Sequence, residues 1–239
     1  MWKYYDYAEL GSTNDKAIEL TAKARGEKIA VTAEMQTGGR GRRGRRWVGA
    51  KGNLFLSLAL PFELKDCGVL VLISGLALLE LIKEVAPQSD VVLKWPNDVL
   101  LDGGKISGIL LEKGEAGYMI VGIGINVKVA PITDAAYKVN SLADAGLFFD
   151  RSEIKDMYMR HFEQLLDFWQ QQGMPALVKR WLKYAKGIGS LIEVKMFNKT
   201  KEGVFVGLND DGLLILKTEQ GPEVISAGDV FFKEEGIKR

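Results

Sequence analysis

The segment GKISGILLEKGEAGYMIVGIGINV, residues 104–127, largely determines the predicted fold. Residues 104–112 and 118–127 are apolar runs typical of strands. Residues 113–117 separate them with two glycines, as expected for a hairpin loop. The pattern therefore predicts two antiparallel strands joined by a short connection.

Lys105 begins the first of these strands and is followed by apolar residues. Strict alternation predicts one face with Lys105, Ser107, Ile109 and Leu111, and another with Ile106, Gly108, Leu110 and Glu112. Lys105 then lies beside the small Ser107, where a ligand could pass. A lysine in this position can act as a point charge toward a carboxylate or phosphate. The plainer interpretation is an edge lysine that extends into water.

Gly122 and Gly124 occupy alternate positions of the second strand, which ends near Asn126. They remove side chains from one face, so a flat ligand could lie there with the Asn126 amide at its end. The plainer interpretation is close backbone packing. The glycines lie within a strand and lack the third glycine of a dinucleotide fingerprint, which excludes a Rossmann site.

Strands and helices are also predicted outside this hairpin. A helix is expected to begin at Ser12–Asp15, with Asp15 in the third position of a capping box. Further strands are predicted at 29–35, 53–60 and 91–95, and further helices at 68–85, 151–171 and 176–185, the last two separated by Gly173-Met174-Pro175. This mixture predicts an α+β domain with a mixed or antiparallel sheet and flanking helices over residues 1–187.

The predicted secondary structure changes near residue 187, after which only short strands are expected. Short strands are predicted at 191–197, 203–208, 213–217, 223–226 and 229–233, with a turn at Asn209–Gly212. Such a run predicts a small β-barrel domain over residues 188–239.

Composition restricts the function classes. The net charge is only +1, from 32 Lys and Arg against 31 Asp and Glu, which argues against a dedicated nucleic-acid binder. Cys67 is the only cysteine and His161 the only histidine, so an intramolecular disulfide and a four-ligand Cys/His metal site are excluded. The apolar run 68–79 is too short to span a membrane. A cytoplasmic protein with neither nucleic-acid nor membrane partners is expected.

The most unusual composition lies at Arg40-Gly41-Arg42-Arg43-Gly44-Arg45-Arg46, followed by Trp47. We refer to residues 40–46 as the arginine loop. Ordering it costs roughly 7–14 kcal/mol of backbone entropy, at about 1–2 per residue. Charge-assisted hydrogen bonds to a triphosphate contribute roughly 1.5–3 kcal/mol each. The loop is therefore expected to be mobile without an anion, unless it is simply a solvated basic loop.

Lys94-Trp95-Pro96-Asn97-Asp98 forms a further polar segment. The proline favours extended geometry at Trp95, so Asn97 and Asp98 follow the end of a strand. Ligand-binding groups are common at such ends in α/β proteins. A polar turn after a buried strand is the plainer interpretation.

Taken together, these segments resemble the biotin–protein ligases. The resemblance rests on Ser12-Thr13-Asn14, Gln36 with the arginine loop and Trp47, Lys94–Asp98, Gly103–Glu112 and Gly122–Asn126, all in the same order. It runs from about residue 4 to the end of the chain. It implies a class II synthetase-like catalytic domain and an SH3-like C-terminal β domain. Because the chain begins close to Ser12, it resembles the monofunctional type without an N-terminal DNA-binding domain.

The resemblance implies that biotin is activated with ATP to biotinyl-5′-AMP and then transferred to a lysine of a biotin carboxyl carrier protein. The implied biotin-binding residues are Ser12, Thr13, Asn14, Gln36, Arg40, Gly41, Arg42 and Lys105. The implied nucleotide-binding residues are Arg40, Arg42, Arg43, Trp47, Lys105 and Asn126. The implied catalytic residues are Lys105, Arg42, Asp98 and Lys94, where Lys94 and Asp98 either assist the acceptor lysine or hold the arginine loop. No metal ligand is expected from the protein, and Mg²⁺ is expected on the triphosphate.

Two departures from the family pattern are Gly38, where alanine is frequent, and Val48-Gly49-Ala50, which replaces an aromatic-proline loop. A lipoate–protein ligase is the nearest alternative, although its arginine-glycine loop and lysine motif differ. A basic-loop nucleic-acid binder and an inactive binding module are further alternatives. An exposed sheet edge is compatible with a homodimer.

Overall fold

The computed structural model describes residues 1–63, 67–131 and 137–232. Its larger part is a seven-stranded sheet in the order β1-β2-β3-β7-β6-β5-β4. The strands are β1 Trp2–Leu10, β2 Lys28–Gln36, β3 Leu54–Pro61, β4 Val91–Lys94, β5 Asp98–Leu101, β6 Gly104–Lys113 and β7 Tyr118–Ile125. β1 and β2 are parallel and the other neighbours antiparallel, which confirms the predicted mixed sheet.

Among the described residues, three helices flank this sheet: α1 Thr13–Thr21, α2 Gly68–Val85 and α3 Arg151–Leu182. The buried α2 packs with α3 on one face, in the main apolar core. α3 is interrupted at Gly173, whose φ of 77° is not helical, so the predicted break between two helices is confirmed. α1 packs on the other face through Ala17, beside Ile29, Ala59 and Ile120.

The C-terminal part is a five-stranded antiparallel sheet in the order β11-β10-β9-β8-β12. Its strands are β8 Leu191–Lys195, β9 Thr200–Leu208, β10 Leu214–Thr218, β11 Gly221–Ile225 and β12 Asp229–Phe232. The predicted small C-terminal β domain is thus confirmed; residue 233 of the last predicted strand lies outside the described residues.

The core of the C-terminal sheet is continuous with that of the larger sheet. Val194, Phe205 and Leu214 belong to the same buried cluster as α2 and α3. The indole Nε1 of Trp95 donates a hydrogen bond to the carbonyl oxygen of Gly212 at 3.2 Å. The two sheets therefore share one hydrophobic core.

Three local features differ from the sequence prediction. Strands β1 and β5 were not predicted; β1 alternates weakly, and β5 has only four residues. The expected capping box at Ser12 is wrong, because the Asp15 carboxylate accepts hydrogen bonds from Arg40. Instead Oε1 of Gln36 accepts from the backbone N–H of Thr13 at 2.7 Å. The Gln36 side chain, from β2, thus accepts a hydrogen bond from a backbone N–H that has no partner within the helix.

Within the described part of the chain, no helix is long and apolar enough to cross a membrane.

Candidate active site

The candidate active site is a cavity on the α1 face of the seven-stranded sheet, with a free volume of about 70 Å³. This volume has room for only a few water molecules. The predicted residues that line it are Ser12, Thr13, Asn14, Gln36, Arg40, Gly41, Arg42, Trp47 and Lys105. Segments far apart in the sequence thus meet at one place. A drug-sized ligand requires a cavity of about 300 Å³ or more, so its walls must move before such a ligand enters.

A cluster of neutral polar side chains lies at one end of the cavity. We refer to it as the neutral polar group; its members are Ser12, Thr13, Asn14, Gln36 and Ser57. Oγ1 of Thr13 donates a hydrogen bond to Oε1 of Gln36 at 3.0 Å. Oγ of Ser57, on β3, lies 2.8 Å from Oγ1 of Thr13 and 2.5 Å from Oδ1 of Asn14. Ser57 is fully buried, and Ser12 is nearly so. The group offers both donors and acceptors to a small polar ligand.

Two carboxylates border this polar group. Nδ2 of Asn14 donates to Oε2 of Glu112 at 2.6 Å. The guanidinium of Arg40 donates to both oxygens of Asp15, at 2.7 and 2.6 Å, and lies 3.3 Å from Glu112. The hydrogen bond from Arg40 lowers the pKa of Asp15. Arg40 is therefore held by protein carboxylates at the edge of the cavity.

Lys105 lies on the cavity face with Gly108, not beside Ser107. A Cβ atom at Gly108 would lie 3.3 Å from the Lys105 Nζ. The predicted alternation is wrong here because Lys105 pairs with Leu100 and Ser107 with Val99, so β6 contains one extra residue. Such a β-bulge changes the phase of the side chains. It directs Lys105 toward Asp98, at 2.6 Å.

Trp47 covers the glycines that leave the sheet face flat. A Cβ atom at Gly124 would lie 2.3 Å from Cε2 of the Trp47 ring, and one at Gly108 would lie 3.0 Å from its Cζ3. A side chain of the protein therefore covers this face, and the flat ligand expected there stays a prediction. Nζ of Lys105 lies 5.6 Å from the centre of the ring, within cation–π range.

The arginine loop is folded onto protein groups. Within the loop, the backbone N–H of Gly41 donates a hydrogen bond to the carbonyl oxygen of Arg45 at 2.6 Å. The backbones of Arg40 and Arg46 form an isolated antiparallel β-bridge. Arg42 donates to Oδ1 of Asn97 at 3.1 Å, while Arg43 and Arg45 pair with Asp229 of β12. The expectation that nothing orders this loop without a ligand anion is wrong, because protein carboxylates and carbonyl oxygens contact the arginines. Burial lowers the pKa of Arg42, and the Asp229 charge opposes that effect.

Four of the predicted site residues do not line the cavity. Asp98 lies behind Lys105, and Arg43 extends to the C-terminal sheet, where it donates to the carbonyl oxygen of Lys195. Asn126 is buried and donates to the carbonyl oxygen of Asn140 at 3.0 Å. Nζ of Lys94 lies 5.4 Å from the ring centre of Phe232. Their assigned roles remain predictions.

Sequence reasoning did not assign Asp15, Ser57, Glu112, Tyr137 and Asp229 to the site. Glu112 lies within a quoted motif, and its charge in an apolar strand was a usable signal. Nζ of Lys105 lies 5.5 Å from the Tyr137 ring, which lines the cavity. Ser57 and Asp229 occur in ordinary strand sequences, so only the fold brings them to the site. Among residues 1–63, 67–131 and 137–232, no three His, Cys, Asp or Glu side chains form a metal-binding group.

Comparison with known proteins identifies two matching family models. Residues 11–128 match the biotin/lipoate A/B protein ligase family, and residues 187–233 match the biotin protein ligase C-terminal domain. The first match contains the residues of the cavity up to Gly124. The second contains Asp229 and the strands of the smaller sheet.

Individual proteins resemble nearly the whole chain. The biotin–[acetyl-CoA-carboxylase] ligase of Paracoccus denitrificans is 34% identical over 94% of this chain and 98% of its own length. The bifunctional ligase/repressor of Bacillus subtilis is 33% identical over 95% of this chain and 72% of its own length. The Aquifex aeolicus biotin protein ligase structure with biotin and ATP has 27% identity and a TM-score of 0.83, covering 97% of this chain and 98% of that one.

Proposed function

This chain belongs to the biotin/lipoate A/B protein ligase family, and we propose that it is a biotin–protein ligase. It activates biotin with ATP and transfers it to a biotin carboxyl carrier protein. One structural observation carries the proposal. Lys105, Arg40 and Arg42 converge on the cavity that also contains the neutral polar group around Thr13 and Gln36.

In the first step, a carboxylate oxygen of biotin attacks the α-phosphorus of ATP. An oxygen–phosphorus bond forms, the bond from that phosphorus to the β-phosphate oxygen breaks, and pyrophosphate leaves. Both reactants are anions, so cationic groups that neutralise their charges lower the barrier. Lys105 carries this role in our proposal, because its ammonium is mostly buried and reaches the cavity face.

The neutral polar group is proposed to bind the ureido ring of biotin. That ring presents N–H donors and one carbonyl acceptor, which match the hydroxyl and amide groups of Ser12, Thr13, Asn14 and Gln36. Ser57 completes the set from the sheet below them. Arg40, with Gly41 and Arg42, is proposed to cover the biotin carboxylate and the phosphates. For this, Arg40 exchanges its contact with Asp15 for the substrate anions.

The nucleotide is proposed to bind on the glycine face that Trp47 covers. Its entry displaces the Trp47 ring from Gly108 and Gly124, since the free volume there is too small for a purine. Arg43 and Asn126 are assigned to the same side. Mg²⁺ is proposed to arrive on the triphosphate, with phosphate oxygens and water as most of its ligands.

In the second step, the amine of an acceptor lysine attacks the carbonyl carbon of biotinyl-5′-AMP. A carbon–nitrogen bond forms, the bond to the phosphate oxygen breaks, AMP leaves, and the attacking nitrogen loses a proton. Asp98 is assigned to this stage or to positioning Lys105, and its contact with Lys105 supports the second role. Lys94 is assigned to the acceptor side, close to the C-terminal sheet.

The proposal also includes a cytoplasmic location, a division of the chain after residue 187, and a homodimer through the exposed edge strand β1. A single cysteine fits a reducing compartment. β1 is an end strand of the seven-stranded sheet and so has an unpaired edge. Sedimentation of the purified protein tests the homodimer.

The decisive experiment combines the protein with ATP, Mg²⁺, labelled biotin and an apo biotin carboxyl carrier domain. Label is expected on the carrier lysine, with release of AMP and pyrophosphate. A carrier whose lysine is replaced by arginine is the control. Absence of label, or equal labelling with lipoate in place of biotin, would contradict the assignment to biotin.

A further inference from the structure

Asp229 connects the arginine loop to the C-terminal sheet. Its carboxylate lies 3.1 Å from Nη1 of Arg43, 3.0 Å from Nη2 of Arg45 and 3.9 Å from Nη1 of Arg42. Arg42 also lies 3.3 Å from the carbonyl oxygen of Gly228. One carboxylate thus faces three cations that would otherwise repel one another in a short loop.

Asp229 itself is held in a well-packed position. It begins β12, where its backbone pairs with Lys195 of β8, and its side chain is only 21% exposed. A few residues along, the Phe232 ring packs against Gly187, where an added Cβ would lie 2.1 Å from that ring. The backbone position of Asp229 is therefore set by its pairing in the smaller sheet rather than by the loop.

Arg42 is a loop residue that both lines the cavity and contacts the C-terminal part of the chain. Its side chain is 20% exposed, and it lines the cavity while contacting Asn97 on one side and the Gly228–Asp229 segment on the other. The loop backbone forms a 3-10 turn at residues 42–44, with Arg43 at a φ of 56°. The direction of the Arg42 side chain depends on its partners.

We propose that Asp229 is a positioning residue for adenylate formation: it holds the arginine loop on the C-terminal sheet so that Arg42 faces the bound phosphates. The inference rests on the proposed function and adds a specific role for one residue outside the cavity. Asp229 is not among the residues that line the cavity.

Two effects of removing this carboxylate oppose each other. Neutralising Asp229 makes the loop more cationic, which by itself strengthens attraction to a triphosphate. It also removes the group that orders the loop, so binding ATP must then supply that ordering. Because Arg42 reaches the phosphates only when the loop is ordered, we expect loss of order to dominate and to weaken ATP binding.

The first experiment does not depend on activity. Limited trypsin digestion of the ligand-free protein, followed by mass spectrometry, measures cleavage after the loop arginines. Asp229→Asn is expected to accelerate cleavage within residues 42–46 at least fivefold over the wild type. The matched control is Asp210→Asn, in the exposed turn of the same sheet. Equal cleavage rates in the two variants would overturn the proposal.

The second experiment measures adenylate formation by ATP–pyrophosphate exchange. Asp229→Asn is expected to raise the KM for ATP about tenfold, with a smaller fall in kcat and an unchanged Kd for biotin. Asp229→Glu is expected to restore most of the wild-type KM, and Asp210→Asn to leave it unchanged. An unchanged or lower KM for ATP in Asp229→Asn would show that the contact is only structural and reject the proposal.

A double-mutant cycle tests the contact itself. The double variant Asp229→Asn/Arg45→Gln is compared with each single variant. Its KM for ATP, relative to the wild type, is expected to be smaller than the product of the two single-variant ratios. Independent effects would contradict a shared contact. If the wild-type protein forms no biotinyl-5′-AMP, the proposed function fails, whereas the digestion experiment still tests how Asp229 holds the loop.

Discussion

Nζ of Lys105 lies 2.6 Å from Oδ1 of Asp98, and the two side chains are only 15% and 20% exposed. The β-bulge in β6 creates this contact, because it turns Lys105 to the face of Gly108, opposite Asp98 in the β5–β6 ladder. The carboxylate restricts the position of the Lys105 ammonium. Lys105 is therefore already oriented before the substrates bind. This lowers the free energy of reorganisation when the biotin carboxylate attacks ATP.

Replacing Lys105 by alanine is expected to reduce kcat for adenylate formation about 100- to 1,000-fold, the range for loss of one preorganised charge-stabilising donor. The measurement is ATP–pyrophosphate exchange with biotin. Lys113→Ala, at the exposed end of the same strand, is the matched control. Normal turnover in Lys105→Ala would show that the role assigned to Lys105 is wrong.

The same substitution leaves Asp98 without its lysine, so part of any loss could arise from instability. The double variant Lys105→Ala/Asp98→Asn is expected to recover stability without recovering activity, because it removes an unpaired, partly buried charge. Thermal unfolding and exchange activity, measured on both variants, separate the two effects. Recovery of activity in the double variant would argue for a purely structural pair.

Arg42→Gly is expected to release biotinyl-5′-AMP about tenfold faster, so that nearby proteins are labelled less selectively. Arg42 bridges Asn97 and Gly228 beside the cavity, and its loss opens that wall. The half-life of the enzyme–adenylate complex, measured by filtration, checks this prediction. Arg25→Gly, in the loop after α1, provides the comparison, and equal retention in both variants would refute the role of Arg42.

Binding of ATP in the presence of biotin is expected to change tryptophan fluorescence, because Trp47 must leave Gly124. The chain contains five tryptophans, so the signal has to be assigned by substitution. Trp47→Phe is expected to lose most of the change, whereas Trp169→Phe keeps it. An undiminished change in Trp47→Phe would indicate that this ring stays in place.

The pair between Arg40 and Asp15 predicts a pH dependence. The pKa of Asp15 is lowered below its ordinary value of 3.8, so the folded protein binds this proton less tightly than the unfolded chain. The stabilisation is therefore fully present above pH 3.8 and is lost as the pH falls through the lower, folded-state pKa. An exposed pair contributes roughly 0.2–1 kcal/mol.

Asp15→Asn lacks this contribution. The difference in its free energy of unfolding from the wild type is expected to be constant near neutral pH and to shrink in acid. Urea unfolding over a pH series measures it. A difference that grows as the pH falls would contradict the assigned direction of the pKa shift.

Local patterns predicted much of the fold because their physical cause is local. The apolar run of α2, the hairpin around residues 113–117 and the break at Gly173 follow from periodicity and turn chemistry. β1 was missed since its exposed edge weakens the alternation, and β5 because four residues carry too little pattern. The C-terminal strands were recognised from their short, regular spacing.

The candidate site was predicted less completely. Ser12, Thr13, Asn14 and Gln36 could be placed together only through the family resemblance, and the structure brings them onto one cavity. The side of Lys105 was predicted wrongly, because a single extra residue in β6 reverses alternation. No local pattern marks such a residue.

Most element types, the family and the concentration of cationic charge before Trp47 could be inferred from local sequence, since propensity, periodicity and composition reside in neighbouring residues. The groups that contact those cations are brought to them by the tertiary fold. Asp15, Glu112 and Asp229 lie far from one another in the chain, yet all three contact the arginine loop. Ion pairing depends on distance in space, and the tertiary fold determines that distance.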